Sequence, residues 1–255
     1  MTRIVRNRLG QTMNTDRTIV ACLGSSSTAG KGQAFDIIGE LSCRPGNSRL
    51  VFRNFGVGGD LAYNALQRVP HVIACRPDKI VIWVGGNDVL AKVSPNVRCF
   101  FRISKHLPAE PSLTWFHGNI RAIVLRLKAE TEARIALCSL PPIGEDPSSE
   151  MAFQAELNRE IEEYSQIIKA TAQEEGVEYI PLYEAIHAQI QASPGRAFTR
   201  FRFIPFYRDA FRVLIFRKTP DDVAQLNGWR FHSDGIHLNS RGGMIAADLI
   251  QQFLG

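Results

Sequence analysis

Three short runs of strand-forming residues, Ile19 to Leu23, Leu50 to Asn54 and Ile80 to Val84, each break into a glycine turn at or just beyond their ends. Two more, Arg134 to Leu140 and Val177 to Pro181, end in proline. Between them lie segments with apolar residues at helical spacing, among them Leu61, Ala65, Leu66 and Val69, and later Ile120, Ile123, Val124 and Leu127. Strands that alternate with helices make parallel pairs joined by crossovers, with helices on both faces. The expected fold is therefore α/β, a three-layer α/β/α sandwich around a central, mostly parallel five-stranded sheet. In open sheets of this kind ligands sit outside the carboxyl ends of the strands, so the glycine turns are where chemistry is expected.

The pattern predicts helices over 35–41, 113–132, 149–175 and 240–253. The third of these would begin at Ser148 or Ser149. Asp60 is placed to cap a helix that starts at Leu61. Residues 91–114, with Pro95, Pro108 and Pro111, read as an irregular excursion. No linker divides the chain, so residues 1–255 read as one domain, with a frayed basic arm over 1–16 and a distinctive insert over 193–220.

Composition narrows the function classes. Hydrophobic residues at 45% and charged residues at 22% describe an ordinary globular protein. A net charge of +5 over 255 residues does not by itself imply nucleic acid. The five cysteines, Cys22, Cys43, Cys75, Cys99 and Cys138, form no CxxC pair and read as reduced thiols of a cytoplasmic protein. No apolar run reaches the roughly 18 residues of a membrane span. The arginines near the start are not followed by the apolar stretch of a secretory signal.

The first turn, Gly24-Ser25-Ser26-Ser27-Thr28-Ala29-Gly30, sets small hydroxyl residues at a sheet edge. Its plain reading is a turn and helix cap. A phosphate-binding loop fails on spacing, and Gly32 stands where that loop needs Ser or Thr. A nucleophile elbow fails because Thr28 replaces its last glycine. Ser26 is the candidate nucleophile. Near the other end, Asp234 and His237 stand three apart, just before the last helix. A carboxylate so placed can hold one ring nitrogen of the histidine and leave the other as a base. His232, two residues before Asp234, is the rival base. His71, His106, His117 and His187 have no attached acid and read as structural or surface residues.

These blocks resemble the SGNH hydrolases, also called the GDSL esterase/lipase family. The resemblance rests on Gly24-Ser25-Ser26, on Asn54-Phe55-Gly56-Val57-Gly58-Gly59-Asp60, on Gly85-Gly86-Asn87-Asp88 and on Asp234-Gly235-Ile236-His237, in that order over nearly the whole chain. It implies a flavodoxin-like sheet and a serine esterase working through an acyl-enzyme, with no cofactor and no metal. Ser26 would be the nucleophile, His237 the base and Asp234 its orienter. The backbone N–H groups of Ser26 and Gly59 and the side-chain amide of Asn87 would form the oxyanion hole. The family usually carries Asp where this chain has Ser25, which implies an altered hydrogen-bond network around the nucleophile.

The insert interleaves Arg200, Arg202, Arg208, Arg212, Arg217 and Lys218 with seven aromatics between Phe198 and Phe216. Its plainer reading is a lid whose aromatics pack inward while its arginines face water. The other is a grip on an anionic partner or membrane surface through 198–218. The expected function is a serine esterase for a small or medium acyl ester, a small-molecule substrate. The alternatives are an acyltransferase on the same fold, and a binding protein that uses the insert.

Overall fold

The computed structural model of the chain describes residues 17–32, 34–201, 213 and 215–255. Among them, five strands form one sheet: β1 (Thr18–Gly24), β2 (Leu50–Gly56), β3 (Lys79–Trp83), β4 (Arg134–Cys138) and β5 (Glu178–Ile180). The order is β2-β1-β3-β4-β5 and every neighbouring pair is parallel. The helices are α1 (Ser26–Ala29), α2 (Ile37–Cys43), α3 (Ala62–Ala74), α4 (Gly86–Val93), α5 (Pro95–Ser104), α6 (Leu113–Glu130), α7 (Ala152–Glu175), α8 (Leu182–Ala192), α9 (Pro220–Asn227) and α10 (Ser240–Leu254).

The continuous apolar runs are buried on both sides, as strands covered by helices must be. Val20 to Leu23, Ile80 to Trp83 and Ile135 to Cys138 are all core residues. Helix α6 packs on both α3 and α7, and α10 packs on α2 and α8, which gives the two outer layers. Strand β1 lies between β2 on one side and β3 on the other. The chain therefore leaves β1 and β3 in opposite senses, and a crevice opens beyond their carboxyl ends. The predicted α/β/α sandwich with its parallel five-stranded sheet is the fold observed.

Several local expectations need correction. Residues 91–114 are not an irregular excursion, because 95–104 form α5. Pro95 occupies the first helical position, where its missing N–H costs nothing, and Val97 and Phe101, four apart, are both buried. The helix predicted from 149 starts at Ala152. Its residue Asn158 donates to the carbonyls of Asp146 (2.9 Å) and Pro147 (3.1 Å), which ties the preceding stretch down as a loop. The first predicted helix starts at Ile37 rather than 35, with Asp36 as its cap through the Gly39 N–H. Asp60 does not cap α3. Its carboxylate is taken by Arg68 and Lys105, each at 2.8 Å, and the Ala62 N–H goes instead to Asp88 Oδ2 at 3.1 Å.

Helices α8 and α9 are among those with no counterpart in the sequence pattern. In α8, Leu182, Ile186 and Ile190 make one fully covered stripe. Each such side chain contributes about 1.5–3 kcal/mol, enough to hold a helix that has no side-chain cap. In α9, Thr219 and Asp222 cap each other's N–H groups, Pro220 opens the helix, and Gly228 closes it in the left-handed conformation.

The predicted arm over 1–16 lies outside the described residues, as do 202–212 and 214 of the insert. The expectations for Arg202, Arg208 and Arg212 therefore fall outside them too. Of the described part, Phe198 is buried against Phe153 and Trp229, with ring centroids 6.3 Å from each. All five cysteines are free. Burial pushes the Cys22 thiol up to about 12 and raises Cys138 well above its usual range. No helix among the described residues is long and apolar enough to cross a membrane.

Candidate active site

Each of the four sequence blocks ends at the crevice. Ser26 is the first residue of α1, immediately beyond β1, and its N–H has no intrahelical partner at that position. Gly59 lies in the turn between β2 and α3. Asn87 is the second residue of α4, just beyond β3, where the positive end of the helix dipole favours developing negative charge. Asp234 and His237 come from the turn before α10. The structure brings Ser26, Gly59, Asn87 and His237 together as the lining of one cleft of about 470 Å³.

His237 Nε2 is 2.8 Å from Ser26 Oγ, and its Nδ1 is 2.8 Å from Asp234 Oδ2. The other oxygen of Asp234 accepts the N–H groups of Ile236 (2.9 Å) and His237 (2.8 Å). Burial acts to raise the Asp234 carboxyl, but the His237 charge and these hydrogen bonds outweigh it and hold the group below its ordinary value. Burial acts to lower His237, yet the Asp234 charge and hydrogen bond leave it above the ordinary histidine value. With Nδ1–H donating to Asp234, Nε2 faces the Ser26 hydroxyl as an acceptor.

Neighbouring serines do not take that position: the histidine contact is made by Ser26, while Ser25 precedes α1 as its cap residue without a side-chain cap hydrogen bond. His232 has both ring nitrogens engaged elsewhere. It is fully buried, with Nδ1 2.9 Å from Glu145 Oε1 and Nε2 2.9 Å from the Pro142 carbonyl. Glu145, also fully buried, accepts the N–H groups of Arg230, Phe231 and His232 as well. Burial acts to raise Glu145, but His232 and these N–H groups overcome it and hold the carboxyl below its usual value. The pair fastens the loop after β4 to the segment that leads into Asp234. Nothing local in the sequence marks Glu145, because its partners lie about ninety residues away.

Gly59 has φ +77, and a Cβ there would meet Lys105 Cε at 2.9 Å. The left-handed backbone is what calls for glycine here, and an added Cβ would also push the end of the Lys105 side chain aside. Asn87 Nδ2 donates one hydrogen to the Asp60 carbonyl at 2.9 Å, which leaves its second for another acceptor. Next to it, Asp88 is fully buried. Burial pushes its carboxyl up to about 8, with the hydrogen bond from the Ala62 N–H acting the other way. Asp88 thereby ties α4 to the start of α3, directly beside the Gly59 turn. Arg68 braces the same turn, donating to Asp60 Oδ2 (2.9 Å), to the Gly24 carbonyl (2.9 Å) and to the Phe55 carbonyl.

Leu90, Val97, Phe100, Phe101 and Ile236 give the cleft apolar walls, and Lys31, Ser104 and Lys105 give it polar atoms. No group of three or more His, Cys, Asp or Glu side chains among the described residues is arranged to hold a metal ion.

Solved structures of other proteins share this fold. Among solved structures, the acetyl xylan esterase AlAXEase is 19% identical with a TM-score of 0.60, over 93% of this chain and 100% of that one. Axe2, an acetylxylan esterase from Geobacillus stearothermophilus, is 17% identical with a TM-score of 0.61, over 94% and 96%. LAE5, an alpha/beta hydrolase enzyme from the metagenome of Lake Arreo, Spain, is 16% identical with a TM-score of 0.59, over 92% and 94%. At these identities the likeness is one of fold. No curated protein matches the sequence. The profile of the GDSL-like Lipase/Acylhydrolase family matches residues 22–243, a span that holds all four blocks. The chain thus belongs to the GDSL-like lipase/acylhydrolase family and is, by class, a carboxylic-ester hydrolase.

Proposed function

We propose that the protein is a serine esterase that hydrolyses a small or medium acyl ester through Ser26, His237 and Asp234. The observation that carries this reading is the continuous chain of contacts from Asp234 through His237 to the Ser26 hydroxyl, each at 2.8 Å, with His237 and Ser26 lining the cleft. Ser26 Oγ attacks the ester carbonyl carbon as His237 Nε2 takes its proton. The carbonyl oxygen becomes an oxyanion and is met by the N–H groups of Ser26 and Gly59 and by the free hydrogen of Asn87 Nδ2. Collapse of the tetrahedral species breaks the ester C–O bond, and His237 returns the proton to the departing alcohol. Water then attacks the acyl-Ser26 ester, again through His237, to release the acid and restore the serine.

The apolar walls from α4 and α5 suit the hydrocarbon part of an ester. Acetyl esters of sugars are also substrates to try first, given that two of the proteins sharing this fold are acetylxylan esterases. Five free thiols accord with a reducing compartment such as the cytoplasm. The test is Ser26→Ala with p-nitrophenyl acetate and butyrate. Turnover should fall to the background of the uncatalysed reaction while circular dichroism stays that of wild type. A folded variant with wild-type turnover sinks the reading.

A further inference from the structure

We infer that Lys105 is a positioning residue for the oxyanion hole, orienting and polarising the Gly59 N–H through the peptide bond that Gly59 shares with Gly58. This inference rests on the esterase reading above. Lys105 Nζ is 2.6 Å from the Gly58 carbonyl oxygen and 2.8 Å from Asp60 Oδ1. It straddles Gly59, on whose α-carbon an added Cβ would meet Lys105 Cε at 2.9 Å and Nζ at 3.4 Å. Lys105 also lines the cleft beside Ser26, Gly59, Asn87 and His237.

The carbonyl of Gly58 and the N–H of Gly59 belong to one planar trans amide, so they point in opposite directions. Fixing the oxygen fixes the direction of the N–H. That N–H has no acceptor among the described residues, which leaves it for the substrate oxygen. The hydrogen bond on the oxygen comes from an ammonium, and charge-assisted bonds are the short, strong ones. A donor on the carbonyl side of an amide draws electrons from its nitrogen and strengthens the N–H as a donor.

The anchor is built to stay in place. Arg68 holds the second oxygen of Asp60 at 2.9 Å, so the carboxylate and Lys105 keep a fixed relation. Asn64 of α3 donates to the Lys105 carbonyl at 3.0 Å, which pins the lysine backbone as well. Because Lys105 sits at the carboxyl end of α5, it links the helix that supplies Val97, Phe100 and Phe101 to the cleft with the oxyanion donor. None of the four sequence blocks contains it.

The test compares Lys105→Met, Lys105→Gln and Lys105→Arg with wild type on p-nitrophenyl butyrate, with Ser26→Ala alongside. Removal of a whole oxyanion donor costs about 10²–10³ in rate, so loss of its support should cost about tenfold to a hundredfold in kcat with KM nearly unchanged. Lys105→Arg should recover most of that loss. In ¹⁵N-labelled protein, the Gly59 amide proton should shift upfield in Lys105→Met and not in Lys105→Arg. If Lys105→Met does not fold, Lys105→Gln carries the comparison, since it drops the charge and keeps a donor. Turnover within twofold of wild type in whichever of the two neutral variants folds overturns the inference. Wild-type turnover in Ser26→Ala overturns the esterase reading itself, and this inference with it.

Discussion

Asparagine at position 234 changes one atom of the orienting group and should remove nearly all turnover. The Asp234 Oδ1 accepts two backbone N–H groups, from Ile236 and His237, and an asparagine oxygen can keep both. The amide nitrogen must then occupy the place of Oδ2, 2.8 Å from His237 Nδ1. There it donates where the carboxylate accepted. Nδ1 must accept in turn, so the ring proton moves to Nε2, which faces Ser26 Oγ at 2.8 Å. A protonated Nε2 cannot take the serine proton. The same wrong tautomer in a serine triad lowers kcat about 10⁴-fold, or about 5.4 kcal/mol of barrier at about 1.36 kcal/mol per decade. The assay is kcat for p-nitrophenyl butyrate from pH 5 to 9, with circular dichroism as the control for folding. In wild type the Asp234 charge and hydrogen bond more than offset burial and raise His237. A raised value keeps the inactive imidazolium to higher pH, so the acid limb should have its half-point above the ordinary value of about 6.5. A folded Asp234→Asn variant within tenfold of wild type at pH 8 would refute this tautomer argument.

Two further perturbations probe other parts of the site. Asn87→Ala removes one donor from the proposed oxyanion hole and should lower kcat by about 10²–10³ with KM nearly unchanged, as read from steady-state kinetics on the same ester. Glu145→Ala leaves His232 and three backbone N–H groups without their acceptor. Breaking a buried pair in this way should destabilise the fold by about 3–5 kcal/mol in urea unfolding. Glu145 is held below its ordinary value, so its contribution is present above about pH 4.3 and is lost as pH falls through the lower folded value. The difference between the two proteins should therefore narrow in acid.

Much of the fold was legible because the signals are local. The apolar runs at 19–23, 80–84 and 134–140 are strands buried on both faces, and only a covered parallel sheet accepts such runs in alternation with helices. The errors came where one local signal hid another. Three prolines made 91–114 look irregular, although Pro95 is a helix opener. The pairing of Thr219 with Asp222, followed by Gly228, is a local helix signal at α9 that stands next to the irregular basic–aromatic insert.

The sequence alone determined which residue types stand at the carboxyl edge of the sheet. A strand that ends in glycine delivers its next residues there wherever the strand lies, so Ser26, Gly59 and Asn87 follow from chain pattern and parallel pairing. Asp234 and His237 are three apart, and a single turn suffices to join them. Tertiary structure decided the rest. It gave both ring nitrogens of His232 to Glu145 and the Pro142 carbonyl, and set His237 between Asp234 and Ser26. It also brought Arg68 and Lys105 onto Asp60, and Asp88 onto the start of α3. These contacts join residues from separate helices and loops. Their energy depends on distance in space and on exclusion of water, and neither quantity is written in the spacing of residues along the chain.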